Sequence, residues 1–341
     1  MSRILLALAL SGCAKQPFIT PTALSESLED TVQPWEDGMR TRGSAGTVEW
    51  WYFDAHLEDG TVIVANFMTK PIMKRGKPLT PKMEITITEP DGTTHQSFKL
   101  LDPKAFSASS DKCQVSLGGS YVAGNLETYS VHLEAEDMRV DMVLDREVAS
   151  WRPGSGKVYF DAKQSRYLGW VVPVPHGNVA ARVQIGDRLW VSQGTGYHDH
   201  NWANTPLNKH LDSWYWGRGH VDTYTTLFFV GTGSRRWGHT PLNLFMLAEG
   251  PTLLMDDPDF FQFKDAEGVL TLEAHQADLT FSMFLHDPVL LESEDLLDGV
   301  PFPSLVGLFM QPYYYRYQAP TVMEGAHSVS GQTIYEVMLF R

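Results

Sequence analysis

The sequence predicts an all-β protein built from two barrels or sandwiches, and two observations lead to this prediction. Apolar and polar residues alternate along segments such as 129–134, 138–144 and 279–285, which is the period of a strand with one buried face. Turn-forming pairs such as Asp59-Gly60 separate these segments at short intervals. Many short strands with this spacing are typical of sandwiches and barrels.

Four segments are expected along the chain. Its 341 residues, of which 43% are hydrophobic, suffice for two ordinary domains with cores of their own. Residues 1–13 are expected to be a signal peptide, and residues 14–45 a polar, proline-containing tether. Two β domains then follow, at 46–205 and 206–341. The boundary is placed where a polar stretch around Pro206 interrupts two aromatic-rich strands.

The N-terminus predicts a lipid anchor. Arg3 is followed by an apolar run at 4–10 and then by Ser11, Gly12 and Cys13. A basic residue, an apolar core and a small-residue cleavage site define a signal peptide, and Leu-Ser-Gly-Cys fits the bacterial lipobox. Cys13 is therefore expected to be acylated, which would anchor the protein on the periplasmic side of a membrane of the bacterial cell envelope. An ordinary signal peptide is the alternative.

The net charge argues against nucleic acid as a partner, and the cysteine content argues against an intrachain disulfide. A net charge of −14 leaves no electrostatic footprint for nucleic acid and would be repelled by anionic membrane surfaces. Attachment to a membrane therefore requires an anchor. No apolar run after the signal peptide approaches the roughly 20 residues that span a bilayer. With Cys13 acylated, Cys113 has no cysteine partner, so no intrachain disulfide is expected.

The first cluster of candidate functional residues runs from Glu49 to Asp54. On a strand these residues alternate between two faces, with Glu49, Trp51 and Phe53 on one and Trp50, Tyr52 and Asp54 on the other. Both faces carry large aromatic side chains, so the strand is expected to be buried on both sides. Core packing explains any single aromatic here. A carboxylate beside three aromatics is costly unless it is paired or neutral, which singles out Glu49.

The second cluster runs from Tyr197 to Trp202. An extended chain places Tyr197, Asp199 and Asn201 on one face, and His198, His200 and Trp202 on the other. Six of the ten tryptophans lie between positions 151 and 216, so this polar set is surrounded by aromatics. A buried aspartate has a raised pKa, and a protonated carboxylic acid can donate its proton at neutral pH. The alternative is a structural network in which Asp199 and Asn201 bond to backbone amides.

Other chemistries have weaker support. His198 and His200, with a distant His176 or His220, could form a metal site, because several imidazoles are typical zinc ligands. An isolated His-x-His pair is a weak signal, however, and neither HExxH nor Cys-x-x-Cys occurs. No metal and no cofactor are therefore expected. The Gly-x-Ser-x-Gly elbow is also absent, which does not favour a serine hydrolase.

A set of motifs in fixed order gives the chain a resemblance to a known family. These motifs are Glu49-Trp50-Trp51-Tyr52, the strand 171–175 leading into Gly177, the segment 196–202, the tyrosine-rich segment 313–317 and the segment 331–336. They resemble the AttH and carotenoid-hydratase (hydroxyneurosporene synthase) family, which is related to fungal Diels–Alderases and kievitone hydratase. The resemblance covers about residues 46–341. It implies two lipocalin-like β domains with a ligand pocket in or between them.

The resemblance also implies roles for residues. In the hydratases of this family an aspartate in a Tyr-x-Asp motif donates a proton to an isoprenoid double bond. That role would belong to Asp199, with Tyr197 and Asn201 orienting water or substrate. The hydratases also use a His-Trp pair upstream, where this chain keeps Trp170 but has no histidine. The substrate-binding residues are expected to be Glu49, Trp51, Tyr52, Trp170, His198, His200, Trp202 and Trp216.

Two functions from different classes follow from this reading. The first is an enzyme that acts on an apolar unsaturated molecule of isoprenoid or polyene type, by acid-assisted hydration or cyclisation. The second is a non-catalytic lipocalin-like binder or chaperone that hands an apolar ligand to a membrane partner such as an ABC transporter permease. The acidic and aromatic cluster favours the enzyme, and a lipid anchor slightly favours the binder.

Overall fold

The structure is a computed structural model that describes residues 28–72, 76–256, 258–266, 268–295 and 312–340. The expected signal peptide, Cys13 and the first half of the expected tether lie outside these residues. The 22 strands of the described chain form two separate antiparallel sheets. The prediction of an all-β fold is confirmed. No helix in the described ranges has the length and apolarity needed to cross a membrane.

The first sheet contains the first twelve strands of the chain. In chain order they are β1 (Val48–Leu57), β2 (Val62–Met68), β3 (Lys82–Thr88), β4 (Thr94–Leu100), β5 (Phe106–Ala108), β6 (Gln114–Leu117), β7 (Ser120–Gly124), β8 (Thr128–Ala135), β9 (Met138–Arg146), β10 (Lys157–Tyr159), β11 (Tyr167–Ile185) and β12 (Arg188–Ala203). Their spatial order is β4-β3-β2-β1-β12-β11-β9-β8-β7-β6-β5, with β10 paired to β11. The strand β1 is therefore bonded to the last strand of its sheet, β12.

The second sheet contains the remaining ten strands. They are β13 (Leu211–Val221), β14 (Tyr224–Gly233), β15 (Pro241–Glu249), β16 (Thr252–Met255), β17 (Phe260–Ala266), β18 (Val269–Gln276), β19 (Leu279–His286), β20 (Val289–Asp295), β21 (Pro312–Glu324) and β22 (Ser328–Phe340). Their spatial order is β16-β15-β14-β13-β22-β21-β19-β18-β17, and β20 pairs with β21. Among the described residues, the 3-10 helices Pro34–Asp37, Pro103–Ala105, Leu207–Lys209 and Arg235–Trp237 connect strands or precede β1.

Three large apolar cores organise the described strands of these sheets. One fills the inside of the first sheet around residues such as Phe53 and Tyr129, and another fills the inside of the second sheet around Phe245 and Phe281. The third core takes side chains from both sheets and includes Trp170. A strand that contributes to the inner core and to this shared core must be apolar on both faces, because alternate residues point to opposite sides.

The connection between the sheets runs from Ala203, the last residue of β12, to Leu211, the first of β13, and includes the 3-10 helix Leu207–Lys209. The two sheets are nevertheless joined by more than this connection. The third core contains Tyr197 of β12 and Trp216 of β13, so it connects the two sheets. The placement of the domain boundary between residues 205 and 206 stays a prediction.

The prediction of a tether is wrong for the last residues before β1. Glu36 and Asp37, in the 3-10 helix Pro34–Asp37, are only 4% and 1% exposed. The Glu36 carboxylate lies 2.9 Å from the guanidinium of Arg152, and the hydroxyl of Tyr129 donates to Asp37 at 2.6 Å. These partners lie 116 and 92 residues along the chain, so no local pattern could indicate them.

Candidate active site

The strands β1 and β12 bring the two predicted clusters side by side. Their antiparallel register places Trp51 opposite His200 and Tyr52 opposite Asp199. The alternation of side chains then separates the candidates into two sets on opposite faces of the same strand pair. The set that contains Tyr52 and Asp199 faces the second sheet. The set that contains Trp51 and His200 faces the inside of the first sheet.

Asp199 lies at the centre of the face turned towards the second sheet and is 5% exposed. Its Oδ2 accepts hydrogen bonds from the hydroxyl of Tyr197 at 2.8 Å and from the Nε1 of Trp170 at 3.0 Å. Its Oδ1 accepts from the Nδ2 of Asn201 at 2.8 Å. The predicted contacts with Tyr197 and Asn201 are confirmed, whereas the chemical roles of these residues stay a prediction.

Burial raises the pKa of Asp199 into the range of a proton donor at neutral pH. Removal from water raises the pKa of Asp199 from 3.8 to about 7, because the charged form loses its hydration. The hydrogen bonds from Tyr197 and Trp170 lower this pKa but do not outweigh the burial. In the described part of the chain, no arginine or lysine forms an ion pair with Asp199. The carboxyl group can therefore hold a proton near neutral pH and release it in a reaction.

A second carboxylate on the same face, Asp54, is ionised. Burial acts to raise the pKa of Asp54, but the Arg218 guanidinium and other nearby cations outweigh it and lower that pKa. Arg218 donates through Nε to Asp54 at 3.1 Å and through Nη2 to its other oxygen. The hydroxyl of Tyr52 donates to the same carboxylate at 3.0 Å. Two carboxyl groups with pKa values moved in opposite directions are typical of a site that contains both an acid and a fixed negative charge.

The second sheet supplies the cations of this face. Arg218 lies in β13, and its guanidinium carbon is 5.4 Å from the centre of the Tyr197 ring. Arg316 lies in β21, and its Nη2 is 3.6 Å from Asp54. It is paired in register with Glu336 of β22, and Tyr314 donates to Glu336 at 2.6 Å. An acid of the first sheet thus faces two guanidinium groups of the second.

Two nitrogen donors that the second sheet contributes to this face have no hydrogen-bond acceptor among the described residues. The Nε1 of Trp216 and the Nη2 of Arg316 are buried and make no hydrogen bond within the described structure. The ring of Trp216 lies 5.4 Å from the ring of Tyr197 and 6.1 Å from that of Tyr52. An unsatisfied buried donor costs about 1–3 kcal/mol. Both donors therefore lie where an oxygen atom of a bound molecule would be stabilised. We refer to Tyr52, Asp54, Trp170, Tyr197, Asp199, Asn201, Trp216, Arg218 and Arg316 as the inter-sheet cluster.

Aromatic side chains of the described residues pack around Asp199, and the ligand pocket expected in or between the two domains stays a prediction. The rings of Trp170 and Phe229 lie 6.4 Å apart and are tilted on one side, and the Trp216 ring lies 5.4 Å from that of Tyr197 on the other. A hollow of about 200 Å³ lies elsewhere on the surface and is lined by Arg139, Asp141, Arg182, Gln184 and Leu189. The margin of the shared core contains partly exposed aromatics, Trp50, Tyr52, Trp214 and Phe340.

Five of the expected substrate-binding residues do not belong to the site around Asp199. Glu49, Trp51, His198 and His200 are fully buried on the other face of the strand pair. Glu49 accepts from the backbone N–H of Thr41 at 2.8 Å, and Trp51 stacks on His200 at 4.5 Å. Trp202 packs with Val32 and Val171 on that face as well. The parity of β12, confirmed by its register, separates them from Asp199. The three other expected binding residues, Tyr52, Trp170 and Trp216, do lie in the inter-sheet cluster.

The metal site considered with His176 or His220 is not formed. These two imidazole rings, one from β11 and one from β13, stack on each other at 3.5 Å, whereas His198 and His200 face the inside of the first sheet. Burial, together with the neighbouring His220 and Arg218, lowers the pKa of His176 from 6.5 to about 3. Both rings are thus neutral and pack as an aromatic pair.

Sequence reasoning missed several residues of the site. Asp54 was placed on the same strand face as Tyr52, and this parity was the signal that it belongs with Asp199. Arg316 lies in the tyrosine-rich segment 313–317, whose pattern is defined by its aromatic residues and does not single out the arginine. Arg218 follows two tryptophans in β13 and had no local signal, since its partner lies 164 residues away.

The fold and the site define a class: a β protein of two curled sheets with a buried acid between them. The model of the Diels–Alderase-like family matches residues 39–255, and the chain belongs to this family. A similar curated protein is the quinolone epoxide rearrangement protein asqO of Emericella nidulans. It is 26% identical over 261 residues, which are 67% of each chain.

Three solved structures have the same fold. CghA in complex with Sch210972 superposes with a TM-score of 0.62 at 14% identity, over 95% of this chain and 98% of that one. A putative AttH protein of Nitrosomonas europaea gives 0.61 at 14% identity, over 94% and 99% of the two chains. Kievitone hydratase of Nectria haematococca gives 0.57 at 12% identity, over 91% and 93%. The predicted lipocalin-like two-domain fold and the predicted family are confirmed.

Proposed function

We propose that the protein is an enzyme that hydrates or cyclises an apolar unsaturated small molecule, with Asp199 as the proton donor. The observation that carries this proposal is a buried carboxylic acid with a pKa of about 7, held by Tyr197, Trp170 and Asn201. Family membership supports small-molecule chemistry, because relatives are named for the rearrangement of a quinolone epoxide and the hydration of kievitone.

The proposed hydration is a balanced transfer of one proton and one water. The O–H bond of Asp199 breaks and a C–H bond forms at one carbon of the double bond, which leaves a cation at its neighbour. A water oxygen bonds to that carbon and returns one proton to the Asp199 carboxylate. The ring face of Trp216 stabilises the positive charge by cation–π attraction, while Asn201, which is partly exposed, connects Asp199 to water. In a cyclisation, the same proton activates the substrate and is then returned.

The arrangement of charges and donors supports an oxygen-bearing substrate. Arg218 and Arg316 would repel the cation formed from a plain hydrocarbon, although Asp54 offsets part of their charge. The unsatisfied Nε1 of Trp216 and Nη2 of Arg316 would instead donate to a carbonyl or hydroxyl oxygen. We therefore propose an isoprenoid- or polyene-like molecule that carries at least one oxygen atom near its reacting double bond.

The test compares the protein with its Asp199→Asn variant in deuterated water. Both are incubated with an apolar extract of the producing cells, and products are identified by mass spectrometry. Hydration adds the mass of one water and leaves one deuterium bound to carbon, whereas cyclisation changes retention without a change in mass. The exposed Asp187, in the turn between β11 and β12, gives a matched Asp187→Asn control. Products formed equally by all three proteins would exclude Asp199 as the donor.

The non-catalytic binder remains the second candidate, because of the expected lipid anchor. A binder would release an apolar molecule on solvent extraction, and that molecule would be unchanged after incubation. Its expected partner would be a membrane protein such as an ABC transporter permease. Native mass spectrometry of the purified protein identifies a co-purifying ligand. Recovery of one unaltered ligand, with no product in deuterated water, would favour this function over the enzyme.

We further propose that the protein is a lipoprotein of the bacterial cell envelope. The support is the sequence Leu10-Ser11-Gly12-Cys13, which follows a short apolar run. The Cys13→Ser variant should not be acylated, so it should leave the membrane fraction or keep its signal peptide. A matched Cys113→Ser variant keeps the lipobox and controls for loss of a thiol. If Cys13→Ser fractionates with membranes as before and shows no change in mobility, the anchor is excluded.

A further inference from the structure

A second cluster of chemically active side chains lies on the face of β12 that is turned away from Asp199, and the proposed reaction does not use it. We call Asp37, Glu49, Cys113, His198 and His200 the barrel cluster; none of them is more than 1% exposed. Ligand atoms of Asp37, Cys113 and His198 all lie within 4.8 Å of one another. We propose that Asp37, Cys113 and His198 bind one divalent metal ion of the zinc type, beside the unpaired imidazole nitrogen of His200.

The hydrogen bonding of His198 leaves a free lone pair directed at Asp37. The Nδ1 of His198 lies 2.9 Å from the backbone oxygen of Tyr52. A carbonyl oxygen can only accept, so this nitrogen carries a hydrogen. In the neutral ring the Nε2 then has no hydrogen, yet it lies 3.2 Å from the Oδ2 of Asp37. Two buried acceptors at this distance repel each other unless a cation or a proton lies between them.

His200 is fixed in the complementary way. Its Nε2 lies 2.9 Å from the Oε1 of Glu49. The Glu49 carboxylate also accepts from the backbone N–H groups of Arg40 and Thr41 and from the hydroxyl of Thr41, so it is an acceptor for His200 as well. The Nδ1 of His200 therefore has the lone pair and lies 3.6 Å from the Oδ1 of Asp37. Neither of these two atoms has a hydrogen-bond partner in the part of the chain that the structure describes.

The donor set and the separations fit zinc. The Cys113 thiol provides the third ligand atom, because it lies within 4.8 Å of ligand atoms of both Asp37 and His198. Tetrahedral zinc with bonds of about 2.0–2.3 Å holds its ligand atoms roughly 3.2–3.8 Å apart. The separation of 3.2 Å between the Oδ2 of Asp37 and the Nε2 of His198 lies in this range, whereas His200 faces the other oxygen of Asp37 at 3.6 Å. Zinc-bound imidazoles normally donate their other N–H to a carbonyl or carboxylate, as His198 does.

The charge of the cluster gives the metal a further role. Asp37 and Glu49 are two fully buried carboxylates, and a divalent cation compensates their charge. The ion would also join the segment before β1, which contains Asp37, to β12, which contains His198. It would stabilise the strand whose opposite face presents Asp199. The site therefore has a structural role in this proposal, and substrate does not reach it.

The experiment measures metal in the purified full chain before and after treatment with a chelator and refilling with zinc. We expect one equivalent of zinc, and a thermal midpoint that falls with the chelator and recovers with zinc. Cobalt(II) in place of zinc should give a thiolate charge-transfer absorption band. The Cys113→Ser variant should lose this band, and Asp37→Asn should lose most of the bound metal. Glu49→Gln, which changes only the partner of His200 and removes no ligand, should retain most of the bound metal.

Two matched variants distinguish loss of ligands from loss of fold. Asp199→Asn changes the opposite face of the same strand, and Tyr129→Phe removes a donor to Asp37 without removing a ligand; both should retain one equivalent. Circular dichroism verifies that each variant is folded. Two outcomes overturn the proposal. In the first, the unchanged protein takes up no zinc and its thermal midpoint is the same with and without zinc. In the second, the Cys113→Ser and Asp37→Asn variants bind as much metal as the controls. A proton between His198 and Asp37 would then account for the geometry.

Discussion

The pH dependence of stability provides a direct test of the buried Asp199, and it needs no substrate. The perturbation is Asp199→Asn, which keeps the shape of the side chain but removes its titration. The pKa of Asp199 rises from 3.8 to about 7 on burial, and a shift of about three units corresponds to about 4 kcal/mol. The two proteins should therefore differ in how their free energy of unfolding changes with pH.

The sign follows from the direction of the shift. A carboxyl group whose pKa is raised in the folded state stabilises the fold at pH values below its ordinary pKa of 3.8, and this contribution is lost as the pH rises through about 7. The variant has no such group. Between about pH 5 and about pH 8, the stability of the unchanged protein relative to the variant should fall by roughly 3 kcal/mol.

Urea unfolding of both proteins at several pH values measures this difference. Loss of one carboxylate oxygen removes an acceptor for Tyr197, Trp170 or Asn201. The free energy of unfolding of the variant therefore differs from that of the unchanged protein by an additional amount that does not depend on pH. Only the change of the difference with pH is diagnostic. The Asp187→Asn variant in an exposed turn controls for the removal of a charge. A difference that is constant over the pH range, or that grows in favour of the unchanged protein at alkaline pH, would refute the reasoning.

Three further variants probe the packing around the two clusters. Arg218→Met should lower the free energy of unfolding by about 3–5 kcal/mol, because Asp54 stays buried without its partner; adding Asp54→Asn should recover much of this loss in urea titrations. Tyr129→Phe should cost about 1–3 kcal/mol, since the buried Asp37 loses a donor, and an unchanged thermal midpoint would contradict this. Gly169→Ala should yield less soluble protein with a lower midpoint, because a Cβ there overlaps the Trp202 ring; a variant as stable as the parent would show that the ring moves freely.

Local patterns predicted the strands and the faces of β1 and β12, because the period of two residues is a property of each strand alone. The same parity correctly placed Asp199 with Tyr197 and Asn201. It could not reveal what each face packs against. The second sheet covers Asp199, and the segment before β1 covers His198. Both contacts depend on the arrangement of distant parts of the chain.

The expectations for the segment before β1 and for Glu49 differ from the structure for one physical reason. The segment 34–41 is short, polar and rich in turns, and nothing in its own composition distinguishes it from a tether. Asp37 becomes a buried acid only because Tyr129 and His198 meet it in the folded chain. In the same way, the substrate role expected for Glu49 was drawn from its aromatic neighbours. Its actual partners, Arg40 and Thr41, lie in the segment that was read as a tether.

The ion pair between Asp54 and Arg218 has a consequence for synthesis on the ribosome. The two residues are separated by 164 positions, and Arg316 follows still later. At about 5–20 residues per second, the guanidinium of Arg218 emerges roughly 10–30 s after the carboxylate that it neutralises. During this interval the first sheet cannot bury Asp54 at low cost. A transcript cut before the codon for Arg218 would therefore yield a chain that cellular proteases remove, even though every strand of its first sheet is present.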